Sequence, residues 1–380
     1  MKSILHVIEQ LADFGGTPRK LLYLATYNDR SDNHLTFATY CASSLKDVFE
    51  EQVAGVVNLE TLSVWRLAWK IARLSRSIEA DIICTHYTRP LVAGFLASRL
   101  TGIPFIHNEH SSAYYRAGVA QRAAKLCMPF SRAIICNSNY TARTISEAYR
   151  IDRSRLRVLY NPVERRQCSV SRNEIRSAAQ IEDGAVVIGH VGGMIDSRDQ
   201  ATLLRAFKAI QAKYPNSMLW LVGDGPLRRT LEKLANDLEI ADNVSFLGYT
   251  DRIGDYLQGM DIYVNPTVDE GFGIAVVEAM LARLPVVLAD AGAHPELVSS
   301  GKDGILYPPR DADGLAKTLM KLIDQPAWRD DMATNGQQSA QSRFAPQFYA
   351  KGYNDIVGEV LAGRLSDKTK RNNGQACPWN

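Results

Sequence analysis

Two glutamates with seven residues between them, Glu270 and Glu278, flank a glycine turn in PTVDEGFGIAVVEAMLARLPVVLA, residues 266–289. Gly271 and Gly273 let the backbone of that turn come close to a ligand. From Ile274 to Arg283 the spacing predicts a buried helix, which Leu284-Pro285 stops. A helix starting directly after a glycine turn presents amides without helical acceptors and a positive dipole end, which together bind anions. Carboxylates beside such a site would repel phosphate. Their chemistry is therefore to accept hydroxyls: many on a sugar, two on a ribose. A second candidate is His110, which closes the run Ile106-His-Asn-Glu-His. It stands at the carboxyl end of an expected strand, where open α/β sheets bind ligands. Asp311-Ala-Asp313 has the look of a metal-binding pair, but it follows Pro308-Pro309 and precedes a helix from Leu315, so it reads as a helix cap.

The elements that must hold these groups alternate strand and helix in both halves. Residues 3–8 read as the first strand. A turn with Gly15 and Gly16 follows, and a helix begins near Pro18, again a phosphate-approach geometry. Apolar runs near 35–40, 81–85, 104–106 and 131–137 read as further strands of the first half. Those at 186–192, 218–223, 244–247, 262–264 and 286–289 read as strands of the second. Helical spacing between them predicts two doubly wound parallel sheets. Residues 164–172 are polar and unpatterned, and read as a linker. Over residues 62–78, Leu62, Trp65, Trp69 and Ala72 share one helical face while Arg66, Lys70, Arg73 and Arg76 lie on others. The expectation is a sheet-covering helix with solvated arginines; a helix lying on a membrane surface is the other reading.

The 380 residues fit two domains of ordinary size, and 46% hydrophobic with 22% charged content places the chain in the globular class. Six scattered cysteines without a CxxC pair indicate neither a disulfide framework nor a zinc site, and imply a reducing cytosol. The first eleven residues are interrupted at His6 and Glu9 and do not read as a signal peptide, and no run of about 18 uncharged apolar residues is present. The net charge of +3 is uneven. Residues 1–165 hold 21 Lys and Arg against 14 Asp and Glu, and the remainder holds 23 against 27. A basic first half suggests attraction to anionic lipid or an acidic acceptor. No basic-aromatic module for nucleic acid is present, and the absent GxGxxG disfavours a dinucleotide enzyme.

The Glu270–Glu278 block resembles the Glu-x7-Glu signature of the retaining glycosyltransferases of family four, which have the GT-B fold. The likeness continues through Pro285-Val-Val, Gly292-Ala-His-Pro-Glu296 and Gly304-Ile-Leu-Tyr-Pro. It implies that Glu270 and the amides of Gly271, Phe272, Gly273 and Ile274 meet the donor sugar, and that Glu278 meets the ribose. Gly102-Ile-Pro, a strand and Asn-Glu-His resembles the segment that sets a histidine, here His110, against the donor sugar. Gly15 and Gly16 inherit a place facing the donor diphosphate and the acceptor. Val222-Gly223-Asp-Gly-Pro and Gly248-Tyr249 match the nucleotide site, which assigns Gly223 and Tyr249. Two departures stand out. Pro18 occupies the place of a common glutamate, and Gly193 occupies that of one of two diphosphate-gripping cations. Arg198 takes the place of the other and keeps the ability to pair with phosphate, bidentately if need be. Arg252 and Arg19 are candidates to make good the loss at Gly193.

The resulting expectation is an α/β protein of GT-B fold, with two Rossmann-like doubly wound parallel-sheet domains facing a cleft. Residues 1–165 form the acceptor side, joined by a crossover helix at 345–362. Residues 175–344 bind the nucleotide sugar, and 363–380 form a disordered tail. The resemblance implies a retaining hexosyltransferase that needs no metal or other cofactor. Its donor is a UDP- or GDP-sugar, and its acceptor a saccharide or lipid-linked saccharide in surface polysaccharide synthesis. Catalytic roles fall to Glu270, His110 and Arg198. The expected location is the cytoplasm, with peripheral attachment to an anionic inner membrane face. The loss at Gly193 motivates the alternative, a noncatalytic relative that binds sugar nucleotides as a sensor or scaffold.

Overall fold

The structure is a computed structural model and describes residues 1–11, 16–41, 43–53, 55–110 and 118–363. It divides into two units, residues 1–162 with the chain from Pro346 onward, and Val163–Ala345. The first unit contains β1 (Lys2–Val7), α1 (Gly16–Thr26), β2 (Asn33–Thr39), α2 (Lys46–Glu50), β3 (Gly55–Asn58), α3 (Val64–Ser77), β4 (Ile82–His86), α4 (Thr88–Thr101), β5 (Phe105–Glu109), α5 (Gly118–Cys127), β6 (Ile134–Cys136), α6 (Asn139–Tyr149) and β7 (Leu156–Val158). The second contains α7 (Arg172–Ala178), β8 (Val187–Val191), α8 (Gln200–Lys213), β9 (Met218–Val222), α9 (Arg228–Asp237), β10 (Val244–Gly248), α10 (Ile253–Gly259), β11 (Ile262–Asn265), α11 (Ile274–Leu281), β12 (Val286–Ala289), α12 (His294–Leu297), β13 (Ile305–Tyr307), α13 (Ala312–Asp324) and α14 (Pro326–Arg343). The last helix, α15 (Pro346–Leu361), belongs to the first unit.

Among the described residues, all pairs of these strands are parallel. The first sheet runs β3-β2-β1-β4-β5-β6-β7 and the second β10-β9-β8-β11-β12-β13. Strands buried on both faces favour apolar side chains at most positions, which is why they read as near-continuous runs. Alternation sorts those side chains between layers. Leu5 and Ile83 pack with α3, α4 and α5, whereas Ile4, Ile82 and Cys84 pack with α1 and α15 through Leu21 and Tyr353.

Strand order also fixes where ligands bind. In the first sheet it reverses between β1 and β4, and in the second between β8 and β11. Connections on either side of such a reversal leave in opposite directions and open a crevice at the strands' carboxyl ends.

Two expectations need correction, and a third lies beyond the described residues. The buried face of α3 is Leu67, Ala68, Ile71, Ala72 and Ser75, so of the four residues expected on its apolar face only Ala72 turns inward. Residues 164–172 are not a bare linker. Asp255 accepts from the amides of Ser169 and Val170, and Arg172 opens α7 under a Ser171–Glu174 capping box. Gly15 and the tail beyond residue 363 lie outside the described residues. The reading of Asp311 holds, since its carboxylate caps α13 by accepting the Gly314 amide at 2.9 Å.

Candidate active site

In the second unit the reversal point is occupied by a charged pair. Arg198 lies in the connection after β8, and Glu270 in the connection after β11. The Arg198 guanidinium donates to the Glu270 carboxylate, and to Thr267 Oγ1 at 3.3 Å. Thr267 is fully buried, and Asn265 Oδ1 holds its hydroxyl. The two loops are also stitched through the backbone, since the Val268 amide donates to the Ser197 carbonyl at 2.9 Å.

Gly273 follows in the left-handed region (φ +96°) and caps α11. The first intrahelical bonds are donated by Val276 and Val277 to its carbonyl, so the amides before them face forward from the helix start. Gly292 locks the turn from behind. A Cβ there would lie 2.6 Å from the Glu270 nitrogen and oxygen, and its φ is +60°. The repulsion expected between a carboxylate and an anion at this helix start is cancelled locally, because Arg198 neutralises Glu270.

Glu278 lies one turn into α11 with its side chain 4% exposed, and meets Arg166 Nε at 2.5 Å. Burial pushes its carboxyl above the ordinary range, and Arg166 opposes that shift. Beneath the site sit two buried histidines. His190 donates Nδ1–H to the Val264 carbonyl at 2.9 Å, and His294 donates to the Ala289 carbonyl at 2.8 Å, so Nε2 is the acceptor in each ring. Burial keeps both neutral, His190 at about 4. At the neck between β8, β9 and β10 the glycines are sterically required. A Cβ on Gly223 would stand 2.2 Å from the Gly192 carbonyl oxygen, and the Gly223 amide donates to the Gly248 carbonyl at 2.8 Å. A Cβ on Gly193, in contrast, would meet only the Asp224 carbonyl, at 3.7 Å.

In the first unit, β1 and β4 carry a chain of imidazoles. Lys20 of α1 is buried and donates to His110 Nδ1 at 3.1 Å. That makes His110 Nε2 a donor to His86 Nδ1 at 3.0 Å, and His86 Nε2 a donor to His6 Nδ1 at 3.1 Å. Burial pulls the Lys20 ammonium down to about 7, partly offset by Glu109, and holds His6 at about 3 and His86 well below its ordinary value. The Tyr87 ring packs against His110 at 5.3 Å between centroids.

The expected residues therefore fall into three groups. Glu270, Arg198 and the Gly273–Ile274 helix start come together. Glu278 is turned to a different cation, Arg166. Gly16 opens α1, and His110 shares the first unit's reversal point with Lys20. Phe272 is buried edge-on against Phe344, so its backbone is what a ligand at the turn could meet. Tyr249 projects from the end of β10, 76% exposed. Arg252, a candidate to replace the missing cation, is held by Asp255 at 2.7 Å. Lys20, Arg166 and Thr267 went unsingled in the sequence, whereas His86 was placed at a strand's carboxyl end and His294 lies within the Gly292–Glu296 motif. The legible signal was polar residues among apolar ones at strand ends and, for Lys20, its place between buried Pro18 and Leu21.

Comparison with known proteins gives two matches that tile the chain. Residues 14–167 match Glycosyltransferase Family 4, and residues 171–339 match Glycosyl transferases group 1. The lipopolysaccharide core biosynthesis glycosyltransferase LpsD of Rhizobium meliloti is 27% identical over 82% of this chain and 84% of its own. The UDP-Gal:alpha-D-GlcNAc-diphosphoundecaprenol alpha-1,3-galactosyltransferase of Escherichia coli is 22% identical over 70% and 72%. Among solved structures, Anabaena HepE in complex with UDP and glucose superposes with a TM-score of 0.80 at 23% identity, covering 93% of this chain and 99% of that one.

Proposed function

Because this chain belongs to the glycosyltransferases of family four and has their GT-B fold, we propose that it moves a hexose from a nucleoside-diphosphate sugar to a saccharide or lipid-linked saccharide, with retention and without a metal. The observation that carries the reading is the Arg198–Glu270 pair beside the α11 start at the β8/β11 reversal. Pyrophosphate oxygens take the helix start and Arg198, while Glu270 accepts hydroxyls of the sugar. Glu278 holds the ribose, and Gly223 and Tyr249 line the base, while Gly16 and His110 are the first unit's candidates for the acceptor.

As the bond from the anomeric carbon to the phosphate oxygen breaks, its electron pair stays on that oxygen. Arg198 and the helix dipole stabilise the growing charge. The acceptor hydroxyl attacks from the same face, and its proton passes to the departing phosphate oxygen. This positive charge is what a metal would otherwise supply. The relatives named for lipopolysaccharide core and for a diphosphoundecaprenol-linked acceptor support a role in surface-polysaccharide synthesis.

A thermal-shift panel of UDP, GDP, ADP and their sugars, with and without EDTA, tests the donor. One diphosphate should stabilise the protein regardless of EDTA. Stabilisation that EDTA abolishes would overturn metal independence. Donor binding without turnover on any acceptor would favour a sensor.

A further inference from the structure

We propose that Arg166 is a phosphate-binding residue of the donor site: held on Glu278 through Nε, it offers the outer end of its guanidinium to the diphosphate on the nucleoside side. The class of ligand rests on the transferase reading above. Arg166 and Glu278 belong to the same unit. The segment that carries Arg166 is fixed independently of the ion pair. Asp255 accepts the amides of Ser169 and Val170, at 2.5 and 3.2 Å. Gly254 lets the chain lie against the start of α10, since a Cβ there would stand 2.2 Å from the Gln167 carbonyl oxygen and 3.0 Å from Arg166 Cβ.

A guanidinium carries five N–H donors. Two arginines just downstream show how a structural one uses them. Arg172 directs Nη1 to the Gln258 and Met260 carbonyls and Nη2 to Asp261. Arg176 directs Nη1 to the Gly259 carbonyl and Asp261, and Nη2 to the Ala185 carbonyl. Arg166 differs. Among the described residues, Nε is its only guanidinium nitrogen with a partner, and its side chain is 22% exposed where that of Glu278 is 4% exposed. A counterion for a buried carboxylate does not need four donors left over.

Those donors lie beside the charged pair already described. The buried Tyr263 hydroxyl, which meets the Val191 carbonyl at 3.4 Å, is raised by burial; Arg198 opposes the rise, and Glu270 and Glu278 both add to it. The Arg198–Glu270 pair and Glu278 thus converge on one point at the β8/β11 reversal. Arg166 also opposes the rise that burial imposes on the Glu278 carboxyl, which favours the ionised form that accepts hydroxyls. In a nucleotide the first phosphate hangs from the ribose through a single carbon. A cation fixed on the carboxylate that takes the ribose is therefore within reach of that phosphate, and a planar fork suits its oxygens.

The test is isothermal titration of the full-length protein with UDP, GDP, ADP, their parent nucleosides and inorganic pyrophosphate. Arg166→Lys keeps a cation on Glu278 but loses the fork. It should hold the melting temperature, weaken pyrophosphate and the bound nucleoside diphosphate about tenfold, and leave the nucleoside within twofold. Glu278→Gln alone should hold or tighten pyrophosphate, because the guanidinium is released to it; adding Arg166→Met should then weaken pyrophosphate about tenfold, with no buried charge left to unfold the protein. Diphosphate affinity unchanged in these Arg166 variants overturns the inference, and so does a loss that the nucleoside shares in full, or a wild type that binds no phosphate compound. Pyrophosphate binding that depends on Arg166, in a protein that takes up no nucleoside diphosphate, would refute the transferase reading and leave the phosphate site standing.

Discussion

Replacing Arg166 by Met would leave Glu278 buried with its described cation gone, and the size of the effect follows from the local geometry. The Glu278 side chain is 4% exposed and Arg166 Nε lies at 2.5 Å. Breaking a buried pair typically costs about 3–5 kcal/mol. The carboxyl has an escape, which is to protonate. Starting from an ordinary pKa of about 4.3, neutralising it costs about 4 kcal/mol at pH 7.5 but only about 1 kcal/mol at pH 5. In the variant the folded-state pKa is raised above the unfolded one. Stability attached to this group is then fully present below the unfolded pKa and is lost as pH climbs through the folded value.

Arg166→Met should therefore destabilise the protein by about 3–4 kcal/mol at pH 7.5 and about 1 kcal/mol at pH 5. The difference is measured by urea unfolding of wild type and variant at both pH values. Arg166→Met combined with Glu278→Gln should restore most of the loss at pH 7.5, because no buried charge remains. A deficit equal at the two pH values, or a double variant no better than the single one, would show that Arg166 acts through packing and that Glu278 carries no uncompensated charge.

Three further outcomes are expected. Glu270→Ala should lower kcat by about 100-fold or more, while Kd for the nucleoside diphosphate holds or tightens because Arg198 is released to the phosphates; isothermal titration and a transfer assay separate the two. Lys20→Met should remove an inflection near pH 7 from the kcat/KM profile. Between about pH 7 and 10 the unfolded chain binds the lysine proton and the folded one does not, so wild type should gain stability on the variant as pH rises through that window. Gly193→Arg should fold, because its Cβ has room, and should lower donor KM by roughly tenfold through one added charge-assisted contact; an unchanged KM would mean that residue 193 does not face the diphosphate.

The architecture was legible because a parallel sheet covered on both faces favours near-continuous apolar runs, and β9 and β12 announce themselves that way. The glycine turn before α11 was legible for the same local reason, as were the Asp311 cap and, in hindsight, the Ser171–Glu174 box that went unread. The sequence by itself determined the strand–helix alternation, the helix start at Gly273 and the carboxylates placed around it. Only the tertiary structure decided what each charge faces. Arg198 and Glu270 are 72 residues apart, Arg166 and Glu278 are 112 apart, and Lys20 and His110 are 90 apart. No local pattern encodes such meetings, which come from the tertiary fold bringing distant segments together. The buried face of α3 was misassigned for a related reason. Its sequence carries two apolar stripes, one with Leu67 and Ile71 and one with Trp65 and Trp69. Periodicity allows either to face the sheet, and the structure turns the stripe with Leu67 and Ile71 inward and leaves the tryptophans outside.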